Sequence, residues 1–114
     1  METEPLINWT DFTKIEMRVG TITHAEIFKE ARNPAYKLTI DFGAYGIRRS
    51  SAQITKLYQP EDLPGRQVIA VLNFPRKQIA NFFSECLILG TVGEANTITL
   101  LAPDAAVPNG LRIG

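Results

Sequence analysis

Residues 36–42 alternate without a break: Tyr36, Leu38, Ile40 and Phe42 against Lys37, Thr39 and Asp41. Period two marks a strand with one face buried, and no helix can satisfy it. Turn chemistry brackets the run, with Asn33-Pro34 before it and Gly43-Ala-Tyr-Gly46 after it. The tight second turn predicts a hairpin with a following strand from Ile47 to Ile54. The rest of the chain must therefore build a sheet around this hairpin.

Other segments supply the partners. Ile15, Met17 and Val19 alternate with Glu16 and Arg18, but beyond Gly20 the next apolar residue is Ile22. A glycine at such a change of parity predicts a bulge or sharp bend, by which one strand serves two sheets. Thr55 to Gln59 reads as one helical turn stopped by Pro60, and Glu61-Asp-Leu-Pro-Gly65 as a turn. Gln67–Phe74 and Ser84–Leu89 read as strands apolar on both faces, with Pro75 ending the first. Asn96–Leu101 is a last strand, and Val107-Pro-Asn-Gly110 a turn. Before the first strand, a polar tail leads into a short helix capped by Asn8 or Thr10, with Trp9, Phe12 and Ile15 at helical spacing. Short strands, frequent turns and a bent first strand predict an all-β fold: a five-stranded Greek-key barrel of the OB type, with a short N-terminal helix and a C-terminal extension. An SH3-like barrel is the nearest competitor.

At 114 residues the chain reads as one domain. It divides into tail and helix (1–14), barrel core (15–90) and extension (91–114). The 45% apolar content suits a packed core. The single cysteine, Cys86, lies in the apolar run Cys86-Leu-Ile-Leu89 and reads as a core thiol, so nothing requires an oxidising compartment. Met1-Glu-Thr-Glu-Pro5 lacks the features of a signal peptide, and no apolar stretch has membrane-spanning length. The expected location is cytoplasmic, without membrane insertion.

Acid–base and nucleophilic chemistry need a titratable constellation. The one histidine, His24, and the one cysteine sit in separate strands. There is no Cys-x-x-Cys, no His-Glu-x-x-His and no glycine-rich phosphate loop. The expectation is a binding protein and not an enzyme, with no metal and no cofactor.

Net charge is zero, yet bases cluster in the middle of the chain: Arg48, Arg49, Lys56, Arg66, Arg76 and Lys77 against Glu61 and Asp62. The run Ile47–Ile54 presents bases and small polar groups, including Ser51 and Gln53, where β-branched residues are usual. It reads equally as a phosphate-binding face or a charge-protected edge strand. Between the two apolar strands, Asn73 to Glu85 reads as a Pro-containing loop with two bases and then two aromatics. Bases beside aromatics suit single-stranded or looped RNA. Phe82 and Phe83 are expected as core plugs. Arg76 and Lys77 are expected to bind, presented from the stiff exit that Pro75 provides.

Met17-Arg-Val-Gly-Thr-Ile22, Ile40-Asp-Phe-Gly43, Ser50-Ser-Ala-Gln-Ile54, Val71-Leu-Asn-Phe-Pro-Arg-Lys77 and the Ser84 to Gly90 segment together resemble the tRNA-binding OB domain family. That domain is appended to methionyl- and phenylalanyl-tRNA synthetases and also occurs as free-standing dimers. Ser50-Ser-Ala-Gln-Ile-Thr55, Asn73-Phe-Pro75 and Val107-Pro-Asn-Gly110 are most similar to a free-standing branch described as a dimeric chaperone implicated in protein export. Asn81 stands near a family glycine, and Cys86-Leu87 replaces Gly-Met. Asn81 is expected to keep the left-handed turn.

The resemblance implies a polypeptide-binding, ATP-independent chaperone, with unfolded preproteins as partners. It would use apolar pockets and strand-edge hydrogen bonds. The alternative is a module that binds structured RNA such as tRNA. For either ligand the candidate contacts are Arg48, Arg49, Ser51, Gln53 and Lys56, with Asn73, Arg76, Lys77, Ser84 and Glu85. A symmetric homodimer is expected, its interface drawing on Trp9, Phe12, Ile69 and Val71, because two strands with two apolar faces exceed what one small barrel interior can cover.

Overall fold

The computed structural model describes residues 4–114. Helix α1 (Trp9–Thr13) is capped by Asn8, whose side chain accepts the Asp11 amide while the Asp11 carboxylate accepts the Asn8 amide. This reciprocal arrangement satisfies two amides that a helix start leaves open. The strands are β1 (Met17–Ile27), β2 (Tyr36–Asp41), β3 (Ile47–Ala52), β4 (Gln67–Val71), β5 (Lys77–Ile79), β6 (Phe82–Ser84), β7 (Leu87–Ile88), β8 (Gly90–Val92) and β9 (Ile98–Leu100). Five of them form one antiparallel sheet in the order β3-β2-β1-β4-β7. The sheet curls into a nearly closed barrel. Its ends are joined by the Glu85 amide donating to the Arg49 carbonyl (2.8 Å), the Arg49 amide donating to the Glu85 carboxylate (3.0 Å) and the Ser51 amide donating to Ser84 Oγ (3.3 Å). This is the expected OB-like all-β fold.

Tyr36, Leu38, Ile40 and Phe42 point inward as the alternation requires. They pack with Ile22, Ile54, Leu63, Val68, Ala70, Leu72 and Cys86. Each large apolar side chain buried there contributes about 1.5–3 kcal/mol. A second, smaller cluster of Phe28, Ala35 and Phe82 lies beside the barrel, with the two phenylalanine rings edge to face at 5.3 Å.

β1 does serve two partners. Residues 17–21 pair with β4, and residues 21–27 pair with β2. The irregularity lies between Ile22 and His24, however, and Gly20 stays regularly paired with Val68. Gly20 is instead a point of close approach: a Cβ there would lie 2.6 Å from the Phe42 ring. Val19 and Ile22 are both buried, but only Ile22 belongs to the barrel core. On the edge of β1 away from β4, the C-terminal segment adds a further strand. The Val19 amide donates to the Leu111 carbonyl, the Gly110 amide to the Val19 carbonyl and the Ile113 amide to the Met17 carbonyl. Asn109 accepts from Thr21 Oγ at 2.7 Å, and Arg112 reaches Glu16 at 2.8 Å.

Three further expectations are corrected. Residues 55–57 form only a turn, and the short helix begins at Pro60 (Pro60–Asp62), since proline is well suited to a helix's first position. The stretch after Pro75 is the β5–β6 hairpin, and its left-handed residue is Ala80 (φ 54°), not Asn81. The strand expected over Ser84–Leu89 is broken at Glu85–Cys86, where the chain turns aside to close the barrel.

Candidate binding surface

The alternation that buries Tyr36 and Leu38 turns Lys37 and Thr39 outward, and antiparallel register sets them against Ser51 and Arg49 of β3. The β1–β2 connection and the β5–β6 hairpin meet beside this face, where Phe28 of the one packs on Phe82 of the other. Lys37 Nζ lies 4.9 Å from the centre of the Phe28 ring, and the Arg49 guanidinium lies 4.6 Å over Phe82. Each such cation–ring contact is worth about 0.5–1 kcal/mol at an exposed site. Glu30 and Glu26 stand 3.8 and 3.9 Å from these cations. The Arg49–Glu26 pair is exposed and contributes about 0–1 kcal/mol, whereas Lys37 is half-buried against the two rings. A cleft of about 430 Å³ on this face is bordered by His24, Glu26, Lys37 and Arg49.

A second cleft, also of about 430 Å³, opens at the barrel seam between the end of β3 and β7. Ile54, Leu87, Ile88, Ile98 and Leu100 form its apolar side, and Ser51, Gln53 and Asn96 also line it. Two smaller clefts adjoin it at Gln53, one bordered by Arg32 and Lys77 and one by Lys56.

The structure brings together Arg49, Ser51, Gln53 and Lys77 around the outer face of β3 and the hairpin. Arg76 is exposed on the hairpin, its guanidinium 4.4 Å over Phe83. Lys56 donates to the Ala95 carbonyl. Four other candidates spend their polar groups inside the chain. Arg48 is half-buried and donates to the Leu72 carbonyl at 2.9 Å. Asn73 accepts the Glu16 amide at 2.9 Å and donates to the Lys14 carbonyl, tying the N-terminal segment to β4. Ser84 and Glu85 join the barrel ends.

Phe82 is buried as expected, but Phe83 is 43% exposed, because neighbours on a strand face opposite ways. Trp9 is 72% exposed and stacks at 5.5 Å on half-buried Phe12. Ile69 is half-buried and Val71 is buried within the chain. Sequence reasoning does not single out Lys37, Arg32 or Phe28 as part of this surface. The alternation of β2 turns Lys37 outward; nothing local marks the other two.

The Cys86 thiol is pushed up to about 11 by burial, so it stays protonated and packs as an apolar group. His24 is exposed. Among the described residues no group of three or more His, Cys, Asp or Glu is placed to hold a metal ion, and no helix is long and apolar enough to cross a membrane.

Residues 17–112 match the family model of the tRNA binding domain. The crystal structure of chaperone CsaA from Bacillus anthracis str. Ames superposes with a TM-score of 0.92 at 55% identity, covering 96% of this chain and 100% of that one. The CsaA chaperone structure from Picrophilus torridus gives 0.88 at 49% identity, again covering 96% and 100%. A curated relative, methionine–tRNA ligase 1 of Sorangium cellulosum, is 37% identical over 103 residues. Those residues are 90% of this chain but 14% of that protein, so the chain corresponds to a small part of the synthetase.

Proposed function

The chain belongs to the tRNA-binding domain family, and from that premise we propose that it acts as a polypeptide-binding chaperone of the CsaA kind. In this reading it holds extended segments of unfolded or preprotein chains, uses no ATP, catalyses no reaction and works as a cytoplasmic homodimer in support of protein export. The observation that carries the reading is whole-length likeness: two CsaA chaperones match nearly all of this chain and all of their own. The synthetases match it only as a small part of themselves.

A second reading, binding of tRNA, is favoured by the family and by one feature of the surface. Lys37, Arg49 and Lys77 lie on or beside the β2–β3 face, and Arg76 covers the exposed Phe83 ring on the other side of the adjoining hairpin. OB barrels bind oligonucleotides on that face, and cations beside an aromatic ring suit a phosphate backbone with unstacked bases.

The deciding experiment is a paired titration, without nucleotide, of a chemically unfolded polypeptide and of bulk tRNA, each competing with the other. The chaperone reading expects binding of the polypeptide and suppression of its aggregation. Tight tRNA binding with no effect on the polypeptide would leave only the second reading.

A further inference from the structure

β3 is closed along only part of its outer edge. Both backbone groups of Arg49 are taken by Glu85, and the Ser51 amide by the Ser84 hydroxyl. Two residues on, at Gln53 just past the end of β3, the closure ends. Among the described residues neither the Gln53 amide nor its carbonyl has a backbone hydrogen-bonding partner, and the residue is exposed. An open edge of this kind is a template for an added strand. It borders the seam cleft, where Leu87 and Val92 leave apolar surface in water.

The charged residues that line the three clefts at Gln53 have one sign. Arg32 and Lys77 border one of the two adjoining clefts and Lys56 the other, while no Asp or Glu lines any of the three. The cleft on the β2–β3 face differs, since Glu26 lines it.

We propose that the seam takes an extended polypeptide segment rich in alternating apolar and acidic residues, added as a strand to β3 at Ser51–Gln53. An apolar side chain fills the cleft over Leu87, Ile98 and Leu100, and flanking carboxylates face Arg32, Lys56 and Lys77. The proposal rests on the chaperone reading and gives it a place and a substrate class. A polypeptide fits this edge better than RNA does. A strand edge offers a donor and an acceptor in alternation, which another backbone matches, whereas a phosphodiester only accepts.

The test uses a short acetylated peptide of alternating leucine and aspartate, the same peptide N-methylated at alternate amides, and a leucine–lysine version. Two variants of the chain accompany it. Gln53→Pro removes the edge donor, and Leu87→Glu puts a carboxylate into the cleft. The unaltered chain should bind the aspartate peptide more tightly than the lysine peptide. N-methylation and each substitution should weaken binding about tenfold, as expected for one or two edge hydrogen bonds or one buried apolar contact. Should Gln53→Pro not fold, the N-methylated peptide on the unaltered chain carries the same test. Equal affinity for the methylated and unmethylated peptides overturns the proposal. So does loss of tRNA binding, and not of peptide binding, in Leu87→Glu. A change of that variant from dimer to monomer would assign the cleft to a second copy and overturn it likewise. If both variants hold unfolded polypeptide at full strength, the placement fails while the chaperone reading stands. If no polypeptide binds at all, both fail.

Discussion

At position 20 the barrel has no room for a side chain: the Phe42 ring and Ile40 fill the space where a Cβ would be, at 2.6 and 2.7 Å. Neither neighbour is a flexible chain end, since both are fully buried in the core. Gly20→Ala is therefore expected to lower stability by about 1–3 kcal/mol, the usual cost of overpacking. Urea unfolding should show a lower midpoint with an unchanged slope; an unmoved midpoint would mean that Phe42 can step aside. The sequence marks this glycine as special but not the reason. Apolar residues at 19 and 22 look like a slipped register, yet Val19 is buried beside the C-terminal segment and Ile22 in the barrel. A pattern along one strand cannot tell a change of face from burial on both faces when the second cover comes from residues about ninety positions away.

The β5–β6 hairpin shows where reading by element succeeds and where it stops. β2 is legible because its alternation runs through Phe42 between two clear turns. β5 and β6 hold three residues each and β7 two, too short for any period to register. The Glu85 side chain that helps close the barrel is also invisible locally, because its partner is the Arg49 backbone. The composition of the hairpin is nevertheless informative, and its bases are exposed. With Arg76 and Lys77 both changed to Ala, melting should be nearly unaffected, since exposed loop charges contribute little. If this hairpin grips RNA, affinity should fall for all sequences alike. The slope of log affinity against log salt should become shallower by about 0.7–0.9 for each phosphate no longer neutralised. Full tRNA affinity and an unaltered slope in the double variant would exclude the pair as the RNA-gripping bases.

For the whole molecule, the least covered apolar surface lies near the N-terminus. Leu6 is 92% exposed, Ile7 67% and Trp9 72%, and no residue of α1 is buried. A helix of five residues cannot hold itself together in water, and exposed apolar surface of this kind is what the proposed homodimer would cover. The proposed homodimer should accordingly sediment as a dimer at micromolar concentration, and Trp9→Glu should shift it toward monomer without unfolding the barrel. A monomeric unaltered chain would refute the interface. The strand contributed by residues 110–113 bears on how the molecule comes into being. It pairs with β1 and, with Asn109 and Arg112, fastens onto residues 16–21, among the first of the barrel to be synthesised. Synthesis proceeds at about 5–20 residues per second, so for several seconds a nascent chain has a first strand with one free edge and no means of covering it. Completion of this small barrel thus waits on the synthesis of residues 110–113, and until then the growing chain is itself the kind of unfinished polypeptide that chaperones hold.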